Sequence, residues 1–578
     1  MLQQWIKTAQ KDKPVWLDDV SRECSADASC VPVVFVLTLF GGELRAYTRF
    51  FPRWNSEPER RFVSEYLDAC VYNMLSALGG SRLSIYYDTS DAELDGLVRG
   101  LGTSFQLDGE NRRGYGKVIN EAERICALLG KGRFSLEYHD ISEYVPAAET
   151  PRRRDSRLAD KLRRTAGLTD EKVCCGIDVG GTDIKLAVSA RGKLVCVKEY
   201  DWNPAEFENA QELTAPVMLL ARLMRACAAE YLHCGRLGGE LLAALEKDAG
   251  DDMMSEAAAN AEQRLGDKAD VLDSIGLSFP DVVIRNAIVG GETPKTQGMR
   301  RRHAHDYESE FARISALNTQ LEGLCRGQGR VRATNDGNIA AYTAAMELAH
   351  GERAELIENG VLAHALGTDL GTGWVDASGE IPELVLEMYD TIQDLGSWPS
   401  RGMSADDLRC VRNENSGLAG ARRYMGQAGV FRMAYALAPD MLDGFVEQNG
   451  GLLRIISEPH DMRKPCLEHI MALAEQGRGE AEEVFRQVGR NLAHVSGEMS
   501  FLLSPETDVR FLFGRFVKRR RCFELICEGF AECISGITLI AADNDLACTG
   551  LMRQLAGMDG VTVAQFGQAI GAVYFGQS

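Results

Sequence analysis

Nowhere does the chain hold a run of about 18 apolar residues, the length a helix needs to cross a bilayer. Its longest apolar stretch near the start, Val33 to Phe40, is only as long as a strand. The opening MLQQWIKTAQKDKPVW lacks the basic-then-apolar order of a secretory leader. Together these absences predict a cytoplasmic protein with no membrane partner. None of the sixteen cysteines forms a CxxC pair, and no two close Cys/His pairs have zinc-ligand spacing. Disulfides are not expected in a large chain without an export signal, and the adjacent Cys174 and Cys175 read as small buried apolar residues. An excess of positive charge is missing too: 64 Lys and Arg stand against 84 Asp and Glu, for a net charge of −20. Neutralising phosphates needs a basic surface, so sequence-independent nucleic-acid binding is excluded outside a local patch.

What is present is the composition of a globular protein, 45% apolar and 26% charged. At 578 residues the chain exceeds what one core usually organises, and two to four domains are expected. Residues 1–150 hold strand-like runs at Val33–Leu39, Leu44–Phe50, Leu83–Tyr87 and Phe134–His139, with helical stretches at Glu57–Leu78 and Gly116–Leu129. Gly41-Gly42 predicts a hairpin between the first two runs. This part reads as a small α/β domain without a catalytic constellation. A basic stretch follows, PRRRDSRLADKLRR at 151–164, read as a solvated linker or helix.

From Val173 the texture changes. VCCGIDV, DIKLAVSA and KLVCVKEYDW predict an antiparallel meander turned at Gly180-Gly181 and Arg191-Gly192. A helical tract follows from Glu206 to Asp270, then a strand, VLDSIGLSFP, and a Gly- and Pro-punctuated loop. A second strand, GRVRATND, feeds the helix NIAAYTAAMELAHG, with Gly351 as its C-cap. The opening pattern then returns in VLAHALGTDLGTGWVDASGEI. Asp, aliphatic, Gly and Thr recur 191 residues after Asp178, at Asp369, as a duplicated domain would place them.

Glycine turns flanked by Thr expose successive backbone N–H groups to an anion, and glycine permits positive φ and close approach of a phosphate. This is not the P-loop, whose glycines open a helix; here a strand follows. Two such turns, one per half, would grip a nucleotide's phosphates from both sides. Asp178 ends an apolar strand beside the first turn, where a carboxylate could hold Mg²⁺ directly or through water. Asp336 follows the strand VRAT at a helix start, where it could serve as a general base or simply cap the helix.

DVGGTDIKLAV resembles the phosphate-1 signature of the sugar kinase/actin/heat-shock chaperone superfamily, and in particular of the ROK family of sugar kinases and repressors. SIGLSFPDVVIRNAIVGG, TNDGNIAAYTAA, ALGTDLGTG, VRFLFGRF and FGQAIGAVYF are similar to later ROK segments and follow in family order, from Val173 to the C-terminus. The resemblance implies an α/β fold with a duplicated actin-like (ribonuclease H-like) core. Residues 172–345 would form a first lobe and 346–578 a second, behind an accessory domain at 1–150 and a basic linker at 151–171. It implies ATP and Mg²⁺ as cofactors, with Asp178 near the metal. Gly180, Gly181, Thr182, Lys185, Gly367, Thr368, Gly371 and Gly514 would lie about the nucleotide. Asn335, Lys295, Thr296 and Glu387 would face the substrate, and Asp336 would be the base. The implied reaction is phosphorylation of a sugar-like hydroxyl, with a small-molecule acceptor and the nucleotide as partners; a homodimer is among the expectations.

Departures from the family accompany the likeness. The zinc segment CxCGxxGC is absent. The sugar-gripping Glu-x-Gly-His has its nearest counterpart in Glu387 to Asp390, without Gly or His, and Gly514 is followed by Arg515 where consecutive glycines are usual. Lys295 stands where the family often has Asn. These changes imply an altered acceptor. A rival reading is a sensor of the same fold that signals through residues 1–150; those residues show strands and no helix-turn-helix pair, against a DNA-binding repressor.

Overall fold

Gly41-Gly42 turns β1 (Val31–Thr38) back on β2 (Leu44–Phe51) as an antiparallel hairpin, and Gly42 takes φ +92°, which strains any residue with a side chain. In this computed structural model, residues 1–578 are described except 12, 111, 147–157, 292–293, 304, 397–398, 414–416 and 543–545. β3 (Arg82–Tyr87) pairs antiparallel to β1, and β4 (Ser135–Asp140) pairs parallel to β3, for a sheet order β2-β1-β3-β4. Helix α1 (Glu57–Leu78) packs on this sheet through Tyr66 against Phe51, ring centroids 5.0 Å apart. Helix α2 (Lys117–Leu128) lies against α1.

The predicted meander is present as β5 (Val173–Val179), β6 (Asp183–Ala190) and β7 (Lys193–Asp201), each antiparallel to the next. β8 (Leu272–Phe279) and β9 (Cys325–Asn335) run parallel to β5, giving the order β9-β8-β5-β6-β7. Helix α3 (Ala210–Cys234) supplies the crossover from the meander, with an Asn209 side-chain cap at its start and left-handed Gly235 at its end. After β9 comes α4 (Asp336–His350).

A second sheet repeats the plan. β10 (Val361–Leu366) and β11 (Leu370–Val375) are antiparallel, while β12 (Val509–Gly514) and β13 (Thr538–Ala541) run parallel to β10. The order β11-β10-β12-β13 matches the first sheet strand for strand, minus the third meander strand. Two ribonuclease H-like sheets in one chain define the duplicated actin-like core. In place of the missing strand, the chain after β11 runs through short 3₁₀ turns at Met388–Asp390 and Pro399–Gly402.

Two long helices of the second half, α5 (Gly479–Leu503) and α6 (Arg520–Cys533), pack on each other. The last helix, α7 (Val563–Phe575), returns to cover the first sheet. The approach is close: a Cβ on Gly276 would meet the Ala572 carbonyl oxygen at 1.8 Å, so β8 needs glycine there. Residues 151–157 of the basic stretch lie outside the described residues. Leu158–Gly167 form a helix whose Leu158 and Leu162 are buried with α4, so this part is packed rather than solvated.

One apolar core fills the first lobe, and another gathers α4 and α7 between the lobes. The third runs without a break from residues 2–134 into the second half, where it includes Leu362, Tyr424 and Leu492. Polar groups lock the same junction. Arg49 and Glu498 form a fully buried ion pair at 2.7 Å, and Asn73 exchanges two hydrogen bonds with the backbone of Ile392. The N-terminal segment is therefore continuous with the second lobe's interior.

Candidate functional site

β5 ends at Val179, and the Gly180 amide donates to the Asp183 carbonyl at 2.8 Å, closing the first turn. The Trp202 indole N–H donates to the Gly180 carbonyl at 3.1 Å and holds the turn from outside. Positive φ, expected for these glycines, is absent: Gly180, Gly181, Gly367 and Gly371 are not in the left-handed region, and only Gly514 is, at φ +98°. Close approach is what remains for Gly181, whose exposed backbone faces the Lys295 side chain with room for a Cβ. At Gly514 a Cβ would meet the Leu366 carbonyl oxygen at 2.2 Å.

Asp178 sits in register with Lys185 and accepts from the Ser278 hydroxyl at 2.7 Å. Burial, and then the nearby Asp336 carboxylate, push its pKa up to about 6 against the pull of Ser278 and Lys185. Like charges disfavour joint ionisation, and a divalent cation held at Asp178 would relieve that repulsion. Lys185 is engaged locally by an ion pair with Asp183.

Asp336 is the first residue of α4, and Asn335 is its N-cap. The Gly337 amide is shared between Asn335 Oδ1 and Asp336 Oδ1, each at 2.8 Å, and Asn335 Nδ2 donates to the Asp281 carbonyl at 3.0 Å. Asp336 follows it into the first turn, where the helix N-terminus favours a carboxylate. α4 also meets the second lobe. A Cβ on Gly337 would touch the Thr372 carbonyl oxygen at 2.4 Å, and the Trp374 amide donates to Asn338 at 3.0 Å. The start of α4 therefore abuts β11, the strand leaving the second turn, while its Asp336 lies beside Asp178 at the first.

At that second turn the Gly367 amide donates to the Asp369 carbonyl at 3.1 Å, and the Gly367 carbonyl accepts from Gln427 at 2.9 Å. Asp369 pairs with Arg422 at 2.6 Å, and Thr368 is exposed. Across the crevice, Lys295 Nζ donates to the Pro280 carbonyl at 3.2 Å. Thr296 is buried, and its hydroxyl donates to the Gly291 carbonyl at 2.7 Å. Glu387 is held by α1, its amide donating to the Ser76 carbonyl at 3.0 Å and its carbonyl accepting from the Ser76 hydroxyl at 2.9 Å. Burial, then Glu121, Asp281 and Asp390, raise its pKa well above the ordinary carboxylate value. Burial likewise lifts Asp390 to about 7, opposed by Arg422 and Lys117.

The register thus brings Asp178, Asn335 and Asp336 to the same end of the first sheet, with Lys185 opposite Asp178 and the Lys295 side chain near Gly181. Sequence reasoning missed Ser278, Asp281 and Arg422. Asp281 alone had a visible signal, the Pro-Asp turn after β8.

No family model matches this chain, and no curated protein does. Solved structures do resemble it. A ROK family glucokinase from Streptomyces griseus, in complex with glucose and AMPPNP, is 16% identical; the match covers 70% of this chain and 99% of that one, with a TM-score of 0.39. A ROK hexokinase from Thermus thermophilus is also 16% identical, covering 69% and 97% at a TM-score of 0.36. A ROK family transcriptional regulator, homolog of the E. coli MLC protein, is 12% identical, covering 70% and 82% at a TM-score of 0.39.

Proposed function

We propose that this protein is an ATP- and Mg²⁺-dependent phosphotransferase acting on a hydroxyl of a sugar or sugar-like metabolite. The observation that carries the reading is the parallel register that ends β5 and β9 on either side of β8, at Asp178 and Asn335, so that Asp336 opens α4 at the same end of the sheet, and α4 also abuts the strand leaving the second turn. Bound MgATP would supply the transferable phosphoryl group. Gly181, Thr182 and Thr368 offer backbone and hydroxyl donors for its phosphates, and Asp178 offers a carboxylate for the metal. Asp336, whose Oδ1 accepts from the Gly337 amide, would take the proton from an acceptor hydroxyl on its other carboxylate oxygen. We assign Asn335, Lys295 and Glu387 to orienting that acceptor, while the Thr296 hydroxyl supports the Gly291 loop. The residues about Gly514 would face the nucleoside.

The test is acceptor-dependent ADP formation from MgATP across neutral, amine-bearing and carboxylate-bearing sugars and cyclitols. At least one should raise ADP release well above the rate with water alone. Equal rates with every compound would refute the kinase reading. A sensor reading draws on the core shared by the N-terminal segment and the second lobe, a route for a signal. Tight binding of one of these compounds without ADP release would favour it.

A further inference from the structure

Away from the two glycine turns, the N-terminal segment and α5 enclose a cavity of about 380 Å³, walled in part by Trp16, Asp18, Asp19, His494, Gly497 and Cys533. Asp18 and Asp19 open the helix Leu17–Ala26, while His494 and Gly497 lie on α5 of the second half. Residues i and i+3 are neighbours on a helix surface, so His494 and Gly497 share one face. Glycine is a poor helix former, but at 497 it makes room: a Cβ there would press on Asp18 Oδ2 at 3.0 Å. Above that gap three side chains converge. One donor atom each from Asp18, Asp19 and His494 lies within 4.8 Å of the other two. His494 is only 8% exposed, and its imidazole stacks on the Trp16 ring at 4.5 Å, with the planes 15° apart. An ionised carboxylate only accepts, so the 2.8 Å contact of Asp18 Oδ1 with His494 Nδ1 puts a proton on Nδ1. In the neutral ring the lone pair is then on Nε2, which has no hydrogen-bond partner among the described residues. A carboxylate on one ring nitrogen and a free lone pair on the other is how a metal-ligating histidine is held. Asp19 pairs with Arg22 one turn on, a side chain that is 65% exposed and free to swing aside.

We infer that this junction binds a divalent transition metal of the zinc type, held by His494 Nε2 and the Asp18 and Asp19 carboxylates, with water completing the shell. Zinc bonds of roughly 2.0–2.2 Å set tetrahedral donors about 3.4 Å apart, so small side-chain rotations close the set. The imidazole selects Zn²⁺ over Mg²⁺ and Ca²⁺, which prefer oxygen alone. Cys533 lines the same cavity but stands outside the three converging donors. The ion bridges the N-terminal segment to α5 and neutralises two neighbouring carboxylates, so it fastens that segment onto the second half. The site is separate from the one proposed for Mg²⁺ at Asp178 and does not depend on the phosphotransfer reading.

The experiment strips the full-length protein with EDTA and titrates Zn²⁺ into it without nucleotide, in excess Mg²⁺, reading calorimetric heat and the melting temperature. Wild type, Asp19→Asn, His494→Gln and Cys533→Ser are compared. The wild type should bind Zn²⁺ despite the Mg²⁺ and melt at a higher temperature with it. Asp19→Asn and His494→Gln should each weaken Zn²⁺ binding by at least roughly 10–100-fold, the cost of losing even an outer partner of a metal ligand, and should lose the melting shift. Cys533→Ser should keep both. Should His494→Gln show no thermal transition, Asp19→Asn decides. A wild type that binds no Zn²⁺ would overturn the site. Affinity unchanged in both ligand variants, or lost only in Cys533→Ser, would overturn it too, since the ion would then sit on thiols.

Discussion

Asp336 stands one residue inside α4, and its carboxylate shares the Gly337 amide with the side chain of Asn335, the N-cap, a role the sequence alone suggests only for Asp336. Asn335→Ala should therefore lower stability by about 0.5–2 kcal/mol, while Asp336→Asn should leave the melting temperature nearly unchanged. Thermal unfolding of the two variants checks this; a large loss in Asp336→Asn would return that residue to a structural role. Asp178 and Asp336 were legible because each lies where a strand ends at a turn or a helix begins. Arg422 was not, because it reaches Asp369 only through tertiary packing and carries no local pattern. Gly180, Gly181 and Gly367 were legible as turns, but they do not take the positive φ that glycine permits; of the named glycines Gly514 alone does.

At the scale of elements, alternation and turn residues predicted nearly every strand of the first sheet, and the recurrence at Asp369 anticipated the second. Among the described residues no third meander strand follows β11, and the 3₁₀ turn at Met388–Asp390 lies against that strand instead. The N-terminal segment meets α5 through specific contacts: Arg49 is buried against Glu498, with the Phe501 ring 3.7 Å from its guanidinium. Breaking such a pair leaves an uncompensated buried charge. Glu498→Ala should cost about 3–5 kcal/mol, whereas Arg49→Met with Glu498→Leu should cost clearly less. Urea unfolding of the single and double variants measures both. Equal losses would mean that packing, and not the stranded charge, sets the cost.

Across the whole molecule, the N-terminal 150 residues are not an appendage, for they share one apolar core with the second half. A chain beginning at Lys172 would expose that core's face around Leu492 and Tyr424. It should aggregate or bind a hydrophobic dye, not fold as a free kinase core; a soluble, cooperatively melting fragment would contradict this. No described helix is long and apolar enough to cross a membrane. The proposed phosphotransfer comes down to one proton. With the acceptor found by ADP release, the turnover of Asp336→Asn is the most direct measurement, taken beside AMPPNP affinity. Loss of a general base costs roughly 10²–10⁴-fold, so kcat should fall by that order while nucleotide affinity holds. Turnover at the wild-type rate would contradict the account, leaving Asp336 without a catalytic role.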